Sequence, residues 1–381
     1  EIEKRGAFHR FYFYDDYIEN GEGSVLGLQF EQDVRGTWTG QGSVPAWFAN
    51  LLPEGSLHRM VDAELERTLG SKPTSVDLLA RLGADLPGAV TVEEIAEPVG
   101  RSRRPFIEVA AGPPSAQSAT VDGLRFSVAG VGMKFSLLRE ADKFVAPAVG
   151  GTGDWIVKLP DPAFELLPEN EFACMQFAKS VGLEVPEVKL VGASDIRGVP
   201  SHLWHGEEKA FAIRRFDRTS QGRVHIEDLA QAIGYPVDDR YKGSFATVGA
   251  FVWRRSHDAD LIEFVRRLVF NFLIGNDDAH LKNWSLIYED RRNARLAPAY
   301  DLASVEVYGR AGLMRGTGLR IGSSRMYRDL NMESFVRLGR KIGFASDLTE
   351  IVRDVVERVS FGWDAFMETF PGELGRERVS T

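Results

Sequence analysis

The sequence predicts an α+β protein in which a small α+β unit precedes a larger part made of two lobes. The first hundred residues mix aromatic-rich segments with amphipathic helical patterns, and a stretch rich in Pro, Gly, Ser and Ala interrupts them. Strand patterns then dominate, followed by helical patterns. We therefore expect four segments, with a cleft between the last two: an N-terminal unit (residues 1–100), a linker (101–120), a β-rich lobe (121–217) and a mostly helical lobe (218–381).

The composition excludes several classes of protein. A content of 44% hydrophobic and 27% charged residues is typical of a globular chain. Apolar runs stay shorter than the roughly 18–20 residues that cross a bilayer, and residues 1–14 lack the pattern of a signal peptide. Cys174 is the one cysteine, which excludes a disulfide within the chain, and the net charge of −9 argues against a strongly basic DNA-binding surface. We expect a cytoplasmic protein without membrane contact.

Local patterns divide the N-terminal unit into strands and helices. Residues 8–14 and 24–30 are rich in aromatic and apolar side chains and flank a polar turn, which predicts a hairpin. Apolar residues repeat at helical spacing from residue 57 to residue 69, and Gly70 is placed to end that helix. Thr74 and Asp77 have the spacing of a helix cap, so a second helix should begin there.

The two lobes are predicted from patterns of the same kind. Strands are expected at residues 124–128, 135–138, 155–159, 185–191, 203–204 and 210–216, with one helix at 169–181. Residues 225–228 resemble a helix start, and helices dominate from there onward. The strongest amphipathic pattern runs from residue 261 to residue 272 and ends at Gly275, whereas the apolar stripe at 351–363 should belong to the core.

The densest cluster of polar residues, at 276–283, directly follows that amphipathic helix. Asp278 and Asn283 lie five positions apart, the separation found in the kinase catalytic loop H-R-D-x-x-x-x-N, where the Asp reaches the acceptor hydroxyl and the Asn a metal ion. A predicted hairpin at 284–297 returns the chain so that Asp301 can be a second Mg²⁺ ligand. By itself the Asp–Asn spacing is better explained by a capped turn before a strand. With the flanking helix and hairpin, a catalytic loop explains the spacing about as well as a capped turn does.

A lysine inside an apolar strand indicates the same chemistry. Lys158 ends the sequence Trp-Ile-Val-Lys, where an unpaired buried ammonium would be costly. Glu171 follows thirteen positions later, near the start of a predicted helix. This order matches the strand lysine and helix glutamate of kinases, which orient the α- and β-phosphates. The alternative is that Lys158 reaches the surface and Glu171 is an exposed helix residue.

Two further segments lie where a nucleotide would be held. Residues 127–134 contain Gly130 and Gly132 between two predicted strands, so their backbone N–H groups can approach phosphates, although a plain hairpin turn has the same pattern. The strand that ends in residues 214–218 is a candidate for the connection between the lobes that holds adenine. Neither segment identifies a nucleotide site alone.

Together these segments resemble the HipA family of toxin Ser/Thr protein kinases, from type II toxin–antitoxin systems, over nearly the whole chain. Each match is short, but their order and spacing are highly specific. The matching segments are 44–54 (Val-Pro-Ala-Trp-Phe-Ala-Asn-Leu-Leu-Pro-Glu), 79–85, 127–130, 156–160, 170–172, 215–218 (Arg-Phe-Asp-Arg), 227–231, 276–283 and 300–301.

This resemblance implies a bilobal protein kinase-like fold with an extra N-terminal α+β subdomain, and an enzyme that uses ATP and Mg²⁺. It implies the toxin of a toxin–antitoxin pair, which phosphorylates an aminoacyl-tRNA synthetase or another translation protein and is linked to growth arrest and persistence. The implied partner is a small helix-turn-helix antitoxin (HipB-like), through which the toxin contacts DNA indirectly.

The resemblance also assigns roles by position. Asp278 is the implied catalytic base, with His280 and Lys282 supporting the catalytic loop or the γ-phosphate. Asn283 and Asp301 are the implied Mg²⁺ ligands. The serine that relatives autophosphorylate to switch themselves off corresponds to Ser127. The implied ATP-binding residues are Val128, Ala129, Gly130, Lys134, Lys158, Glu171 and Phe216.

Two departures from the family pattern concern the nucleotide. Gly132 stands where the family usually has Gln, and Arg214 stands where Glu is frequent at the hinge. Two other functions stay open: a catalytically silent partner that only assists an antitoxin in repression, and a small-molecule phosphotransferase, which shares the Asp–Asn spacing. The intact set of catalytic residues argues against the first, and the N-terminal unit with the Ser127 segment argues against the second.

Overall fold

The computed structural model describes residues 1–5, 8–19, 23–95, 133–147, 152–199, 203–204, 209–309 and 316–374. Within them the chain forms an N-terminal unit, a β-rich lobe and a helical lobe. The predicted linker and the predicted strand at 124–128 lie outside the described residues. The residue boundaries expected between the units stay predictions.

The N-terminal unit combines a small antiparallel sheet with helices. Its strands β1 (Ile2–Arg5), β2 (Phe8–Phe11) and β3 (Trp38–Gln41) lie in the order β1-β2-β3. Its helices are α1 (Asp15–Glu19), α2 (Ala46–Ala49), α3 (Gly55–Leu69) and α4 (Ser75–Leu82). Phe11, Trp47 and Phe48 belong to an aromatic core, in which the ring of Phe48 lies 4.7 Å from that of Phe11 and 5.0 Å from that of Trp47.

The hairpin predicted in this unit is wrong, whereas both predicted helices are confirmed. Residues 24–30 form no strand, because the Phe30 N–H donates to the Gly27 carbonyl (2.9 Å) in a turn that carries Phe30 into the aromatic core. β2 pairs instead with β1 and β3. α3 ends at Gly70, whose φ of +68° lies in the left-handed region that favours glycine. α4 begins after Thr74, whose N–H donates to Asp77 Oδ2 at 2.6 Å.

The β-rich lobe is built on a six-stranded sheet with the order β7-β9-β6-β4-β5-β8. The strands are β4 (Lys134–Glu140), β5 (Lys143–Val145), β6 (Trp155–Lys158), β7 (Val188–Gly192), β8 (Ile196–Arg197) and β9 (Lys209–Arg214). Helix α5 (Leu167–Ser180) packs on β7 and β9 and buries Cys174. The strand predicted at 203–204 is wrong. Leu203 lies in a 3₁₀ turn and Trp204 outside regular structure, and both pack against the core of the sheet.

Helices dominate the remaining lobe, as predicted. They are α6 (Leu229–Ile233), α7 (Phe245–Arg255), α8 (Asp258–Leu273), α9 (Met332–Ile342) and α10 (Leu348–Thr369). The accompanying strands are β10 (Arg218–Thr219), β11 (Gly222–Arg223), β12 (His225–Asp228), β13 (Ser285–Tyr288), β14 (Arg295–Leu296), β15 (Gly316–Ile321) and β16 (Ser324–Met326). α8 packs on both α7 and α10, and its residues Phe264 and Leu268 are fully buried.

One element of this lobe differs from its prediction. Residues 225–228 form strand β12, which pairs with β13, and not the start of a helix. α6 begins directly after the strand because Asp228 Oδ1 accepts the Gln231 N–H at 2.8 Å as an N-cap. The hairpin predicted at 284–297 is confirmed as β13 and β14, and the C-terminal apolar stripe is confirmed as core within α10.

Two hydrophobic clusters hold the units together. The first joins the N-terminal unit to the six-stranded sheet, since it contains Trp47 and Leu79 together with Phe135 and Trp155. The second joins α5 and β9 to the helical lobe. The β-rich lobe therefore shares a core with each of its neighbours, and the N-terminal unit is an integral part of the structure.

A buried cluster of four charged side chains links the N-terminal unit to the segment between the lobes. Asp85 Oδ1 accepts from Arg215 Nη1 (2.9 Å) and Arg218 Nη2 (2.8 Å). Asp217 Oδ2 accepts from the same guanidinium groups at 2.8 and 2.9 Å. Burial alone would raise the pKa of Asp217, but the two arginines lower it below its usual value. Two negative and two positive charges therefore neutralise one another away from water.

Asp85→Ala should be strongly destabilising, because it leaves two buried guanidinium groups to share one carboxylate. We expect the free energy of unfolding to fall by about 3–5 kcal/mol, measured by urea-induced unfolding followed through tryptophan fluorescence. Asp354→Ala is the matched control, since its ion pair with Arg358 (2.8 Å) is exposed and contributes at most about 1 kcal/mol. Equal losses in the two variants would contradict the prediction.

Candidate active site

A cleft of about 340 Å³ lies between the two lobes, and all three units contribute to its wall. Its lining includes Asn50 and Glu54 from the N-terminal unit, Lys134, Lys158, Glu171 and Phe216 from the β-rich lobe, and Asp278, His280, Lys282, Asn283 and Asp301 from the helical lobe. The structure thus brings together all the predicted site residues that it describes. Ser127, Val128, Ala129, Gly130 and Gly132 lie outside the described residues.

Lys158 joins the two lobes at the wall of the cleft. Its Nζ donates to Glu171 Oε1 (2.6 Å) on α5 and to Asp301 Oδ1 in the helical lobe. Burial alone would lower the pKa of Lys158, but the two carboxylates raise it, so the ammonium stays charged. Glu171 is buried and not an exposed helix residue, so the alternative reading of this pair is wrong.

A second lysine faces the same cleft. Lys134 lies directly opposite Lys158 in the pairing of β4 with β6. Burial and the nearby Lys158 ammonium lower the pKa of Lys134 to about 8. Two neighbouring ammonium groups favour a polyanionic ligand, because its negative charge offsets their repulsion.

Asp301 adopts an unusual backbone conformation. Its φ of +59° lies in the left-handed region, which residues other than glycine rarely adopt. The backbone is held there in part by Asn276, whose Nδ2 donates to the Asp301 carbonyl at 3.3 Å. Burial alone would raise the pKa of Asp301, but Lys158 and Lys134 lower it to about 2. An ionised carboxylate on a strained backbone is typical of a functional position.

Side-chain amides fix the loop that follows α8. Asn276 Nδ2 donates to Asn271 Oδ1 (2.7 Å), and Asn276 Oδ1 accepts the Asp278 N–H (3.2 Å). Asn283 Nδ2 donates to the Asp278 carbonyl (2.9 Å). Gly318 of β15 packs so closely that a Cβ on it would come within 2.7 Å of the Ala279 backbone. The loop is therefore held at both ends and along one side.

The oxygen atoms beside this loop fit Mg²⁺. Because Asn283 uses its amide nitrogen for the Asp278 carbonyl, its Oδ1 is the atom that can bind a cation. Asp301 supplies an ionised carboxylate. Mg²⁺ prefers such hard oxygen ligands and completes its shell with phosphate oxygens and water. The two predicted ligands therefore have the chemistry that the ion needs.

Asp278 lies in the cleft with two aromatic rings beside it. The Tyr241 hydroxyl donates to Asp278 Oδ1, and burial raises the pKa of Asp278. His280 packs edge-to-face on Tyr241, with ring centroids 4.9 Å apart. Burial lowers the pKa of His280 to about 4, and its Nδ1 has no hydrogen-bond partner among the described residues. A neutral His280 adds no positive charge to the cleft at physiological pH.

Lys282 binds Asn50 of the N-terminal unit and Asp228 of β12. Its Nζ donates to the Asn50 carbonyl (2.9 Å), to Asn50 Oδ1 (3.1 Å) and to Asp228 Oδ2 (2.9 Å). An ammonium has three N–H bonds, so these contacts use its whole donor capacity. This geometry favours support of the catalytic loop over contact with a γ-phosphate, the other predicted role.

Strand β12 presents two consecutive carboxylates to opposite sides. Asp228 faces Lys282, whereas Glu227 faces the N-terminal unit, as expected of successive residues in a strand. Glu227 accepts the Leu28 N–H and the Trp47 Nε1–H, both at 3.0 Å, and the Tyr288 hydroxyl. It is fully buried, and burial raises its pKa to about 7 although the three donors oppose the shift.

The hinge end of the cleft combines apolar and charged side chains. Ile156, Ile213 and Phe216 line it beside Arg214, Arg215 and Asp217, and the ring of Phe216 packs against that of Tyr300 with centroids 5.9 Å apart. The side chain of Arg214 is 57% exposed and lies 3.9 Å from Glu187. The departure from the family pattern at Arg214 therefore places an exposed charge, and not a buried one, at this position.

Three residues contribute to this site without having been predicted from the sequence: Asn50, Asp228 and Tyr241. Asn50 interrupts the apolar stretch 46–52, and a single amide there was a signal for a buried polar partner. Tyr241 gave no signal, because it belongs to a polar segment, 237–243, and meets Asp278 only through the tertiary structure.

The architecture is a bilobal protein kinase-like fold with an added N-terminal α+β unit. Its β-rich lobe carries the lysine–glutamate pair, its helical lobe carries the Asp-x-x-x-x-Asn loop, and the cleft lies between the two lobes. The chain belongs to the HipA family. The family model of the HipA N-terminal domain matches residues 1–93, and that of the HipA-like C-terminal domain matches residues 126–363.

Individual relatives agree with this assignment. Y4dM of Sinorhizobium fredii, whose name proposes a kinase, is 38% identical over 95% of this chain and 87% of that protein. The serine/threonine-protein kinase toxin HipA of Shewanella oneidensis is 30% identical over 77% of this chain and 70% of that protein.

A solved structure has the same fold. It is the complex of Shewanella oneidensis HipA, HipB and operator DNA, with a TM-score of 0.72 at 21% identity and coverage of 100% of this chain and 92% of that chain. Each helix in the described residues is too short or too polar to cross a bilayer.

Glu227 should make stability depend on pH. Its folded pKa of about 7 exceeds the unfolded value, so the folded chain binds more protons between about pH 4.5 and 7, and stability falls as pH rises through this window. Glu227→Gln cannot titrate and should remove about 2–3 kcal/mol of this decline, measured by urea unfolding at a series of pH values. Glu357→Gln, at an exposed position, is the control. If the free energy of unfolding changed with pH in the same way in wild type and Glu227→Gln, the prediction would be contradicted.

Proposed function

We propose that this protein is an ATP-dependent protein serine/threonine kinase and the toxin of a toxin–antitoxin pair. The observation that carries the proposal is the meeting of Lys158 with Glu171 and Asp301, in the cleft that also holds Asp278 and Asn283. In kinases these residue types supply phosphate binding, metal binding and the catalytic base. The relatives named as kinases, which match most of the chain, support it.

In this proposal, residues of both lobes hold ATP. The ammonium groups of Lys158 and Lys134 bind the phosphates, and Glu171 keeps Lys158 in place. Asn283 and Asp301 would hold Mg²⁺, which would supply positive charge to offset the negative charge of the phosphates. The adenine lies toward the hinge end of the cleft, between the apolar side chains of Ile156, Ile213 and Phe216.

Asp278 is the proposed catalytic base. A serine or threonine hydroxyl of the protein substrate approaches its carboxylate. The hydroxyl oxygen forms a bond to the γ-phosphorus, the bond between that phosphorus and ADP breaks, and Asp278 accepts the proton. Lys282 keeps the loop in place through its hydrogen bonds to Asn50 and Asp228.

We base the proposed substrate and partner on membership of the HipA family. We propose an aminoacyl-tRNA synthetase or another translation protein as the substrate, which places the reaction in the cytoplasm. We propose a small helix-turn-helix antitoxin, HipB-like, as the partner through which the protein contacts DNA indirectly. The Shewanella oneidensis complex, in which HipA is bound with HipB and operator DNA, supports this partner.

Autophosphorylation of Ser127 is the proposed off switch. Ser127 precedes Lys134 by seven positions. A phosphate there adds about −1.5 to −2 charge to a segment that is close in sequence to Lys134, one of the two lysines that we propose for the ATP phosphates. Repulsion between this phosphate and those of ATP would disfavour ATP in the cleft.

Asp278→Ala should lose phosphoryl transfer while it still binds ATP and the antitoxin, because the acceptor proton then has no base. We expect transfer to fall by about 10²- to 10⁴-fold, measured with radiolabelled ATP and by intact-mass spectrometry. Asp277→Ala removes the neighbouring carboxylate and is the matched control, with activity near that of wild type. Transfer at the wild-type rate by Asp278→Ala would refute the assignment of the base.

Ser127→Ala should remain active for longer and be more toxic, because the off switch is removed. Peptide mass spectrometry after incubation with ATP and Mg²⁺ should find phosphate on Ser127 in wild type and none in Asp278→Ala. Growth after induction should be slower with Ser127→Ala than with wild type, and Thr120→Ala controls for loss of a hydroxyl nearby in the sequence. Equal toxicity of Ser127→Ala and wild type would contradict the switch.

A further inference from the structure

Tyr241 contacts the proposed catalytic base from outside the cleft. Its hydroxyl donates to Asp278 Oδ1, although Tyr241 itself is not among the residues that line the cleft. It lies in the connection between α6 and α7, 37 positions before Asp278 in the chain. The phenol therefore contacts Asp278 without forming part of the lining of the cleft.

The segment around Tyr241 is fixed to the catalytic loop. The Leu281 N–H donates to the Arg240 carbonyl (3.1 Å), which ties this segment to the residues that follow Asp278. Arg325 of β16 donates through Nη2 to the Tyr241 carbonyl (2.5 Å). The ring of Tyr241 packs edge-to-face on His280, so both its backbone and its ring are held.

The N-terminal unit contributes a further contact. Glu54, which follows α2 and lines the cleft, binds Arg240 with an Nη1–Oε2 distance of 2.5 Å. The Arg240 guanidinium lies 5.3 Å from the centroid of the Tyr241 ring. A continuous chain of contacts thus runs from Glu54 through Arg240 and Tyr241 to Asp278.

We propose that Tyr241 is a positioning residue for the catalytic base, held in place by the Glu54–Arg240 ion pair. This inference rests on the proposed kinase function. The Tyr241 hydroxyl fixes Oδ1 of Asp278, so that Oδ2 is the oxygen that receives the acceptor proton. During transfer the acceptor oxygen bonds to the γ-phosphorus, ADP leaves, the proton moves to Asp278, and Tyr241 keeps its own proton.

Electrostatics supports this role for the phenol. No lysine or arginine of the described residues forms an ion pair with Asp278, so a hydrogen bond from a neutral donor is what orients the carboxylate. Burial and the neighbouring Asp278 raise the pKa of Tyr241, which keeps its hydroxyl protonated and able to donate. A neutral donor orients the base without neutralising it.

The test is Tyr241→Phe, which removes the hydroxyl and keeps the ring. We expect kcat to fall by about 10- to 100-fold, since small displacements of a catalytic group cost rates of this order. The KM for ATP should stay within about twofold, because Tyr241 does not line the cleft. Replacement by p-aminophenylalanine, which restores an N–H donor at the same place, should recover most of the lost rate.

Two controls isolate this hydrogen bond. Tyr12→Phe removes the same kind of contact, a phenol that donates to Glu3 Oε1 (2.8 Å), at a site remote from the cleft, and should leave kcat unchanged. Tyr241→Phe in the Asp278→Ala background should cause no further loss, because the two residues act as a unit. Glu54→Gln should lower kcat in the same direction by a smaller factor.

The outcomes separate this inference from the proposed function. Unchanged or increased kcat in Tyr241→Phe would overturn the positioning role, and an increase would show that the phenol blocks the base. A crystal structure of nucleotide-free Tyr241→Phe shows the position of the Asp278 carboxylate and does not depend on kinase activity. A displaced or disordered Asp278 carboxylate is expected, and an unmoved one overturns the inference. Absence of phosphoryl transfer by wild type would refute the kinase function alone.

Discussion

The interaction on which the rest of the site depends is the sharing of one ammonium between two carboxylates. Lys158 is on a strand of the β-rich lobe, Glu171 is on the helix that packs against that sheet, and Asp301 belongs to the helical lobe. The three groups hold the lobes in one relative position, and their mutual attraction keeps Lys158 and Asp301 charged, whereas burial raises the pKa of Glu171 to about 7. In the proposed function the same ammonium binds phosphates. A bound nucleotide would therefore alter the contact between Lys158 and Asp301 that joins the lobes.

The N-terminal unit takes part in the site as well as in the fold. It reaches the catalytic loop through Asn50 and Lys282, and it reaches the segment between the lobes through Asp85. Strand β12 connects these regions, since Glu227 points to the N-terminal unit while Asp228 points to Lys282. Neither contact requires a large apolar surface. Their effect comes from burial, which makes each unpaired charge or donor costly and so fixes the units in a single arrangement.

Features of this structure could be predicted from the sequence when the interacting residues lie close together along the chain. The helix caps at Gly70 and Thr74 were predictable because their partners lie within a few positions. Asp278, Asn283 and Asp301 could be predicted as a set because a helix leads into the loop that holds the first two and a hairpin returns the chain to Asp301. The hairpin proposed at 8–30 failed since an apolar pattern does not distinguish a strand from a buried turn. Asn50 and Lys282 are 232 positions apart, and no local pattern reports such a contact.

The backbone at Asp301 limits the routes by which this protein can lose activity in evolution. At a φ of +59° only Gly, Asn and Asp are accommodated without much strain, whereas β-branched or bulky residues cost about 1–3 kcal/mol. Drift at this position is therefore channelled toward Asn or Gly, which fit this backbone conformation but remove the carboxylate and its ion pair with Lys158. An inactive descendant of this kind would keep the local backbone but lose one of the two carboxylates that share the Lys158 ammonium. A change that removes the carboxylate would thus also loosen the junction between the lobes, so chemistry and domain arrangement would be lost together at this one position.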